Sequence, residues 1–192
     1  MELVFASSNR NKVAEIQKLI GNKVKLLSLK DINCTEEIQE TGKTFNENAL
    51  IKARYISEKY KCNCFGDDSG LEVEILDNAP GVYSARYAGE PKNDENNIQK
   101  LLNELGARTN RTARFKTVIA LVIDGKEHFF EGEIKGQITL QPIGNGGFGY
   151  DPVFIPEGYD QTFAQMSLDE KNRISHRAIA TQKLVDFLNN KL

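Results

Sequence analysis

The sequence predicts an α/β fold built around one long, twisted, mixed sheet, and three observations carry that expectation. Short β-prone runs and amphipathic helical stretches alternate along the whole chain. Helix starts are marked by capping boxes, Thr44-x-x-Glu47 and Ser167-x-x-Glu170. No internal repeat, low-complexity run or compositional break divides the 192 residues, a length suited to one domain or a large two-lobed one.

The elements follow in order. Residues 2–6 read as a buried strand, and apolar positions at Val13, Ile16, Leu19 and Ile20, stopped by Gly21, predict a first helix. A strand at residues 24–29 and an acidic loop at residues 36–42 come next. The second helix opens at Phe45 and runs to about Tyr60, with Phe45, Ala49, Ala53, Ile56 and Tyr60 on one apolar stripe. Residues 61–65 and 71–76 read as strands, and residues 79–87 as a turn continuing into a loop. Residues 93–105 form an amphipathic helix ended by Gly106. Residues 113–123 and the ribbon carrying His128 form a hairpin around Asp124-Gly125. A glycine-rich loop at residues 144–152 precedes a strand at 153–155, a short helix containing Lys171, and a last helix beginning near Ser175.

Composition narrows the function classes. A net charge of −2 provides no basic excess for a nucleic-acid backbone, so no nucleic-acid partner is expected. No stretch approaches the ~18 apolar residues of a membrane span, and no leader pattern opens the chain, so a cytoplasmic protein without membrane contact is expected. Cys34, Cys62 and Cys64 lack metal-site spacing, which points to reduced structural thiols.

Four stretches carry chemistry. Gly66-Asp67-Asp68-Ser69-Gly70 places two carboxylates and a hydroxyl between glycines, predicting a tight bend between two strands; carboxylates held rigidly suit Mg²⁺, which takes one or two of them plus phosphates and water. An ordinary polar turn has the same composition. Ser7-Ser8-Asn9-Arg10-Asn11-Lys12 leads from a strand into a helix, where unpartnered amides and the helix dipole favour an anion. The loop has no glycine, so it is neither of the familiar glycine-rich phosphate loops, and simple N-capping accounts for it equally well. Lys52 falls at the edge of the second helix's apolar stripe, where it either snorkels to water or points into a cleft. The loop Gly144-Asn145-Gly146-Gly147-Phe148-Gly149-Tyr150-Asp151-Pro152 resumes a strand at once, which favours a structured binding loop over a tether.

Taken together and in order, the following set closely resembles the inosine triphosphate pyrophosphatase family, the Ham1-like XTP/dITP pyrophosphatases: Ser7-x-Asn9-x-x-Lys12, Glu40-Thr41-Gly42, Thr44-Phe45-x-Glu47-Asn48-Ala49, Lys52-Ala53, Asp67-Asp68-Ser69-Gly70-Leu71, Pro80-Gly81-x-Tyr83-Ser84-Ala85-Arg86, Gly146 to Pro152, and Ile174-Ser175-His176-Arg177. The family loop often reads Thr-Gly-Asn where this chain has Ser7-Ser8-Asn9. The resemblance implies a homodimer of two-lobed α/β subunits, each a single domain over residues 1–192 with a nucleotide cleft between its lobes. It also implies Mg²⁺-dependent hydrolysis of ITP, dITP and XTP to the monophosphate and pyrophosphate, which clears deaminated purines from the nucleotide pool. On this sequence it assigns the triphosphate to Ser7, Ser8, Asn9, Arg10, Asn11 and Lys12, the metal to Glu40 and Asp68, and catalysis to Asp68 and Lys52. Ser69 would touch substrate, and Phe148, Gly149, Tyr150, Asp151, Lys171, His176 and Arg177 would form the base pocket.

A carboxylate that ligates Mg²⁺ is a weak general base, so Asp68 either takes a proton from water or only orients it, and Asp67 stays a candidate beside it. A pocket of donors from Lys171, His176, Arg177 and loop amides would accept a 6-oxo purine and leave groups unpaired against adenine, with Phe148 stacking on the ring. Two alternatives remain at this level: a Maf-type pyrophosphatase acting on modified pyrimidine nucleotides, against which the Phe148 to Asp151 and Ser175 to Arg177 motifs argue, and a nucleotide sensor without turnover.

Overall fold

The computed structural model describes residues 1–21 and 24–191. Its strands form a seven-stranded mixed sheet: β1 (Glu2–Phe5), β2 (Lys25–Ser28), β3 (Cys64–Val73), β4 (Ala79–Pro80), β5 (Thr112–Ile123), β6 (Lys126–Ile138) and β7 (Phe154–Pro156). The order is β2-β1-β3-β5-β6-β7, with β4 paired to β3. β1 runs parallel to β2 and β3, whereas β3–β4 and β6–β7 are antiparallel. The helices are α1 (Arg10–Ile20), α2 (Phe45–Tyr60), α3 (Asp94–Leu105), α4 (Leu168–Ile174) and α5 (His176–Lys191). The α/β class and mixed sheet expected from the sequence are therefore present.

The chain separates into two compact units. The first comprises residues 1–68, 117–132 and 176–192. Side-chain alternation along its strands sends Leu3, Phe5 and Phe65 to one face, where they join Ile16 and Ile20 of α1 and Leu184 and Leu188 of α5. The rings of Phe5 and Phe65 stack with centroids 4.7 Å apart. Val4, Ala6 and Cys64 turn to the other face and pack with Ile56 of α2 and Cys34. All three cysteines are free thiols.

The second unit comprises residues 69–116 and 133–175 and has its own core. Leu71 and Val73 of β3 meet Ile98, Leu101 and Leu105 of α3, together with Phe115, Phe154 and Phe163. Phe115 and Phe154 meet edge to face at 4.6 Å.

Local signals set most boundaries. Thr44 and Ser167 both cap as expected, each accepting from the backbone N–H three residues on while the Glu there reaches back. Asp124 and Gly125 take φ of 51° and 71°, the left-handed pair that a two-residue hairpin requires. α1 starts at Arg10, ahead of its first apolar position, because Asn9 caps it.

Two expectations are corrected, the first being that residues 74–76, read as the end of a strand, form a short 3-10 helix after β3. Residues 66–70 form no bend: β3 runs unbroken from Cys64 to Val73, where two strands and a turn were expected. The reason is packing. A Cβ on Gly66 would lie 2.6 Å from the Ala49 carbonyl oxygen and 3.0 Å from the Lys52 Cβ, so the glycine admits the backbone of α2 against β3.

Candidate active site

Because residues 66–70 are extended, Asp67 and Asp68 project to opposite faces of β3. Asp68 turns toward α2, where its Oδ2 accepts a hydrogen bond from Asn48 Nδ2 at 3.0 Å. Asp67 is fully buried and meets the Lys12 ammonium at 2.9 Å, with Arg177 Nε at 3.7 Å. The two carboxylates of one dipeptide are thereby given different partners.

Their proton affinities separate accordingly. Burial raises the Asp68 carboxyl to about 6; nearby Lys52 and Lys12 oppose the rise, and the Glu40 charge adds to it. Burial acts on Asp67 in the same direction, but the charges of Lys12, Arg177 and Lys52 outweigh it and hold the group well below the usual carboxylate range. Asp67 is thus a permanent anion, and Asp68 titrates within reach of neutral pH.

Lys52 does not snorkel. It is buried, and its ammonium binds Glu40. Burial lowers its proton affinity, yet Asp67, Glu40 and Asp68 together raise it above the ordinary lysine value. Glu40 is held below its ordinary value: burial pushes it up, and Lys52 more than offsets this.

At the start of α1, Asn9 Oδ1 accepts the amides of Asn11 at 3.0 Å and Lys12 at 3.2 Å, and Ser7 Oγ accepts that of Asn9. Ordinary capping is therefore present, and it fixes the turn from which Lys12 reaches Asp67. Ser8, Arg10 and Asn11 stay exposed on the same turn. Ser69 follows Asp68 on β3, half-buried.

Two members of this first-unit cluster were not singled out from the sequence. Asn48 lies wholly buried and bridges two segments, accepting from the Gly42 amide at 2.8 Å while donating to Asp68. Its signal was a polar residue on the inward stripe of α2. Glu15 on α1 is buried and ion-paired with Arg177. A carboxylate beside apolar Ile16 on the inward side of α1 was the corresponding signal.

Arg177, expected in the base pocket, therefore sits with Glu15 and Asp67 in the first unit. His176, also in the first unit, is buried at the start of α5. The second unit gathers the remaining expected base residues. Asp151 Oδ2 accepts from Lys171 Nζ at 2.6 Å and from the Phe148 amide at 3.0 Å, and the Lys171 ammonium lies 4.7 Å from the Phe148 ring centroid. Gly149 donates its amide to Asp94 Oδ2 at 2.7 Å. Tyr150 turns inward, buried, with its hydroxyl donating to the Ser84 carbonyl at 2.7 Å. The Phe148 and Gly149 amides, expected as donors to a base, are thus committed within the protein.

Glu40 and Asp68 fit a hard divalent cation. Each offers carboxylate oxygens, and their mutual repulsion is one that a cation relieves. Among the described residues no three His, Cys, Asp or Glu side chains form a metal cage, so an ion held by these two needs phosphate or water oxygens as well, the usual habit of Mg²⁺.

Known proteins similar to this chain share one description or family. A "dITP/XTP pyrophosphatase" of Flavobacterium psychrophilum is 57% identical over 99% of this chain and 100% of its own length. A protein of the same description from Bacillus subtilis is 47% identical over 97% of this chain and 96% of its own. The solved structure of the Staphylococcus aureus Ham1 protein superposes with a TM-score of 0.92, at 41% identity and full coverage of both chains. A HAM1 protein from Coxiella burnetii matches with a TM-score of 0.91 and 39% identity over 99% of each chain. The profile of the Ham1 family matches residues 3–187, nearly the whole sequence, and this chain belongs to the Ham1 family.

Proposed function

We propose that this protein is a nucleoside triphosphate pyrophosphatase that hydrolyses the deaminated purine nucleotides dITP, ITP and XTP to monophosphate and pyrophosphate, with Mg²⁺ as cofactor. The observation that carries this reading is the cluster of buried Asp68, Asn48, Lys52 and Asp67 with half-buried Glu40 and Lys12. It combines a carboxylate titrating near 6, a second carboxylate able to share a metal, and two ammonium groups for phosphate charge.

In this reading Lys12, Lys52 and the turn from Ser7 to Asn11 hold the triphosphate, neutralising charge that grows in the transition state. Glu40 and Asp68 would hold Mg²⁺, which when bound would supply further charge neutralisation and lower the pKa of a nearby water. Asp68 orients the attacking water toward the α-phosphorus rather than serving as a strong base, since a cation beside its carboxylate lowers its proton affinity. Asn48 holds the carboxylate in the acceptor orientation. Asp67 takes no proton; it anchors Lys12. In the second unit Phe148 stacks on the base, with Lys171 and Asp151 at its edge. Ser69, His176 and Arg177 complete the proposed substrate shell. The reading extends to a homodimer in the cytoplasm, supported by family membership.

The test is incubation with Mg²⁺ and, separately, dITP, XTP, ITP, ATP or GTP, with both products resolved by chromatography. Monophosphate and pyrophosphate from the deaminated purines, with ATP and GTP nearly untouched, is the expected outcome. Diphosphate and orthophosphate would place attack at the γ-phosphorus and overturn the mechanism.

A further inference from the structure

The loop of residues 144–151 is expensive to hold in one conformation, since Gly144, Gly147 and Gly149 take φ of 89°, 71° and 61°. Most of its ties are local or buried. Gly146 donates to the Ala164 carbonyl at 3.0 Å and Phe148 to Asp151 at 3.0 Å. Tyr150 reaches Ser84, whose Oγ accepts from the Leu71 amide at 2.9 Å.

Asp94 supplies a tie of another kind. It stands at the start of α3, exposed, 55 residues before Gly149 in the chain, and its carboxylate accepts the Gly149 amide at 2.7 Å. The helix that carries it is a firm base: Ile98, Leu101 and Leu105 are buried in the core, and Asn97 bonds the Ala85 carbonyl and the Ala88 amide. An ionised acceptor strengthens the bond, and a carboxylate in the first turn is favoured by the helix dipole. The peptide plane it holds joins Phe148 to Gly149, so its orientation fixes the backbone of Phe148 and the direction from which the ring leaves it. In the present conformation that ring lies against Lys171.

We propose that Asp94 is a positioning residue for base recognition: by accepting the Gly149 amide it holds Phe148 in the orientation that receives the purine. This rests on the reading that the loop of residues 144–151 takes the base. Asp94 touches no substrate and acts through Gly149 and Phe148. Because it is exposed, its loss leaves no unpaired buried group, in contrast to the buried Ser84–Tyr150 contact.

The experiment compares Asp94→Ala, Asp94→Asn and Phe148→Ala with the unaltered protein. Steady-state kinetics are measured on dITP and dGTP, with hydrogen exchange of the peptide spanning residues 144–151. Loss of a charge-assisted hydrogen bond predicts that Asp94→Ala raises the KM for dITP about tenfold, with a smaller fall in kcat, faster exchange in the loop and a lower preference for dITP over dGTP. Asp94→Asn keeps an oxygen acceptor and stays within about threefold of the unaltered KM. If Asp94→Ala leaves the KM unmoved while Phe148→Ala raises it, the role of Asp94 is overturned and the base reading of the loop stands. If neither variant moves the KM, the loop does not take the base and both fall. Equal damage from Asp94→Asn and Asp94→Ala would also overturn the proposal, since charge and not the hydrogen bond would then be acting.

Discussion

Replacing Asp68 with Asn should change not only turnover but the pH dependence of folding, and the size of that change follows from the burial of the carboxyl. Asp68 is 6% exposed, and its proton affinity rises from an ordinary 3.8 to about 6 in the folded protein. Burial is the main cause; Lys52 and Lys12 oppose it and Glu40 adds to it. A group that holds its proton more tightly when folded stabilises the fold below its unfolded pKa, and loses that contribution as pH rises through its folded pKa. At about 1.4 kcal/mol per unit, a shift of roughly two units makes ionised Asp68 a liability of about 3 kcal/mol above pH 6 in metal-free protein. Asp68→Asn removes the ionisation. Its stability relative to the unaltered protein should therefore rise by about 2 kcal/mol between pH 4 and pH 7.5. The constant cost of changing the side chain cancels in that comparison. Urea unfolding in EDTA at a series of pH values measures it directly. A difference that stays flat with pH, or falls as pH rises, would refute the argument. Adding Mg²⁺ at pH 7.5 should stabilise the unaltered protein and have less effect on the variant, because the cation offsets the charge that burial penalises.

Further consequences can be tested with single substitutions. Gly66→Ala puts a Cβ 2.6 Å from the Ala49 carbonyl, a backbone atom that cannot swing aside, and should lower stability by about 1–3 kcal/mol in denaturant unfolding. Thr44→Ala removes the oxygen that accepts the Glu47 amide at the start of α2 and should cost about 1 kcal/mol, with kcat little changed. Asn48→Leu removes the amide side chain that bridges Gly42 and Asp68; kcat should fall at least about tenfold while the KM for dITP moves less, as expected of a residue that orients the catalytic carboxylate.

Much of this protein was legible in the sequence because the determining interactions were local. The Thr44 and Ser167 capping boxes, the Asn93 and Gly106 helix ends and the Asp124-Gly125 hairpin depend on residues within a few positions of one another, and each stands where its residue types place it. The family motifs also cover the segments that carry Lys12, Lys52, Asp67 and Asp68.

Tertiary packing decided the rest. Gly66 to Gly70 has the composition of a turn, yet it is a strand, since the glycine's small size admits helix α2 from another part of the chain. Asp67 and Asp68 are chemically identical in sequence, and only what packs on each face of β3 separates them: Lys12 and Arg177 on one side, Asn48 on the other. Lys52 at the edge of a stripe could by its position reach water or a cleft, and only the fold set Glu40 beside it. Arg177 belongs to a base-recognition motif by resemblance, but its buried charge is met by Glu15 from α1, 162 residues earlier. Likewise the Asp94 to Gly149 bond joins a helix start to a distant glycine loop. Local propensities therefore set the elements, while the partners of each buried charge depended on chain folding to bring remote segments within a few ångströms.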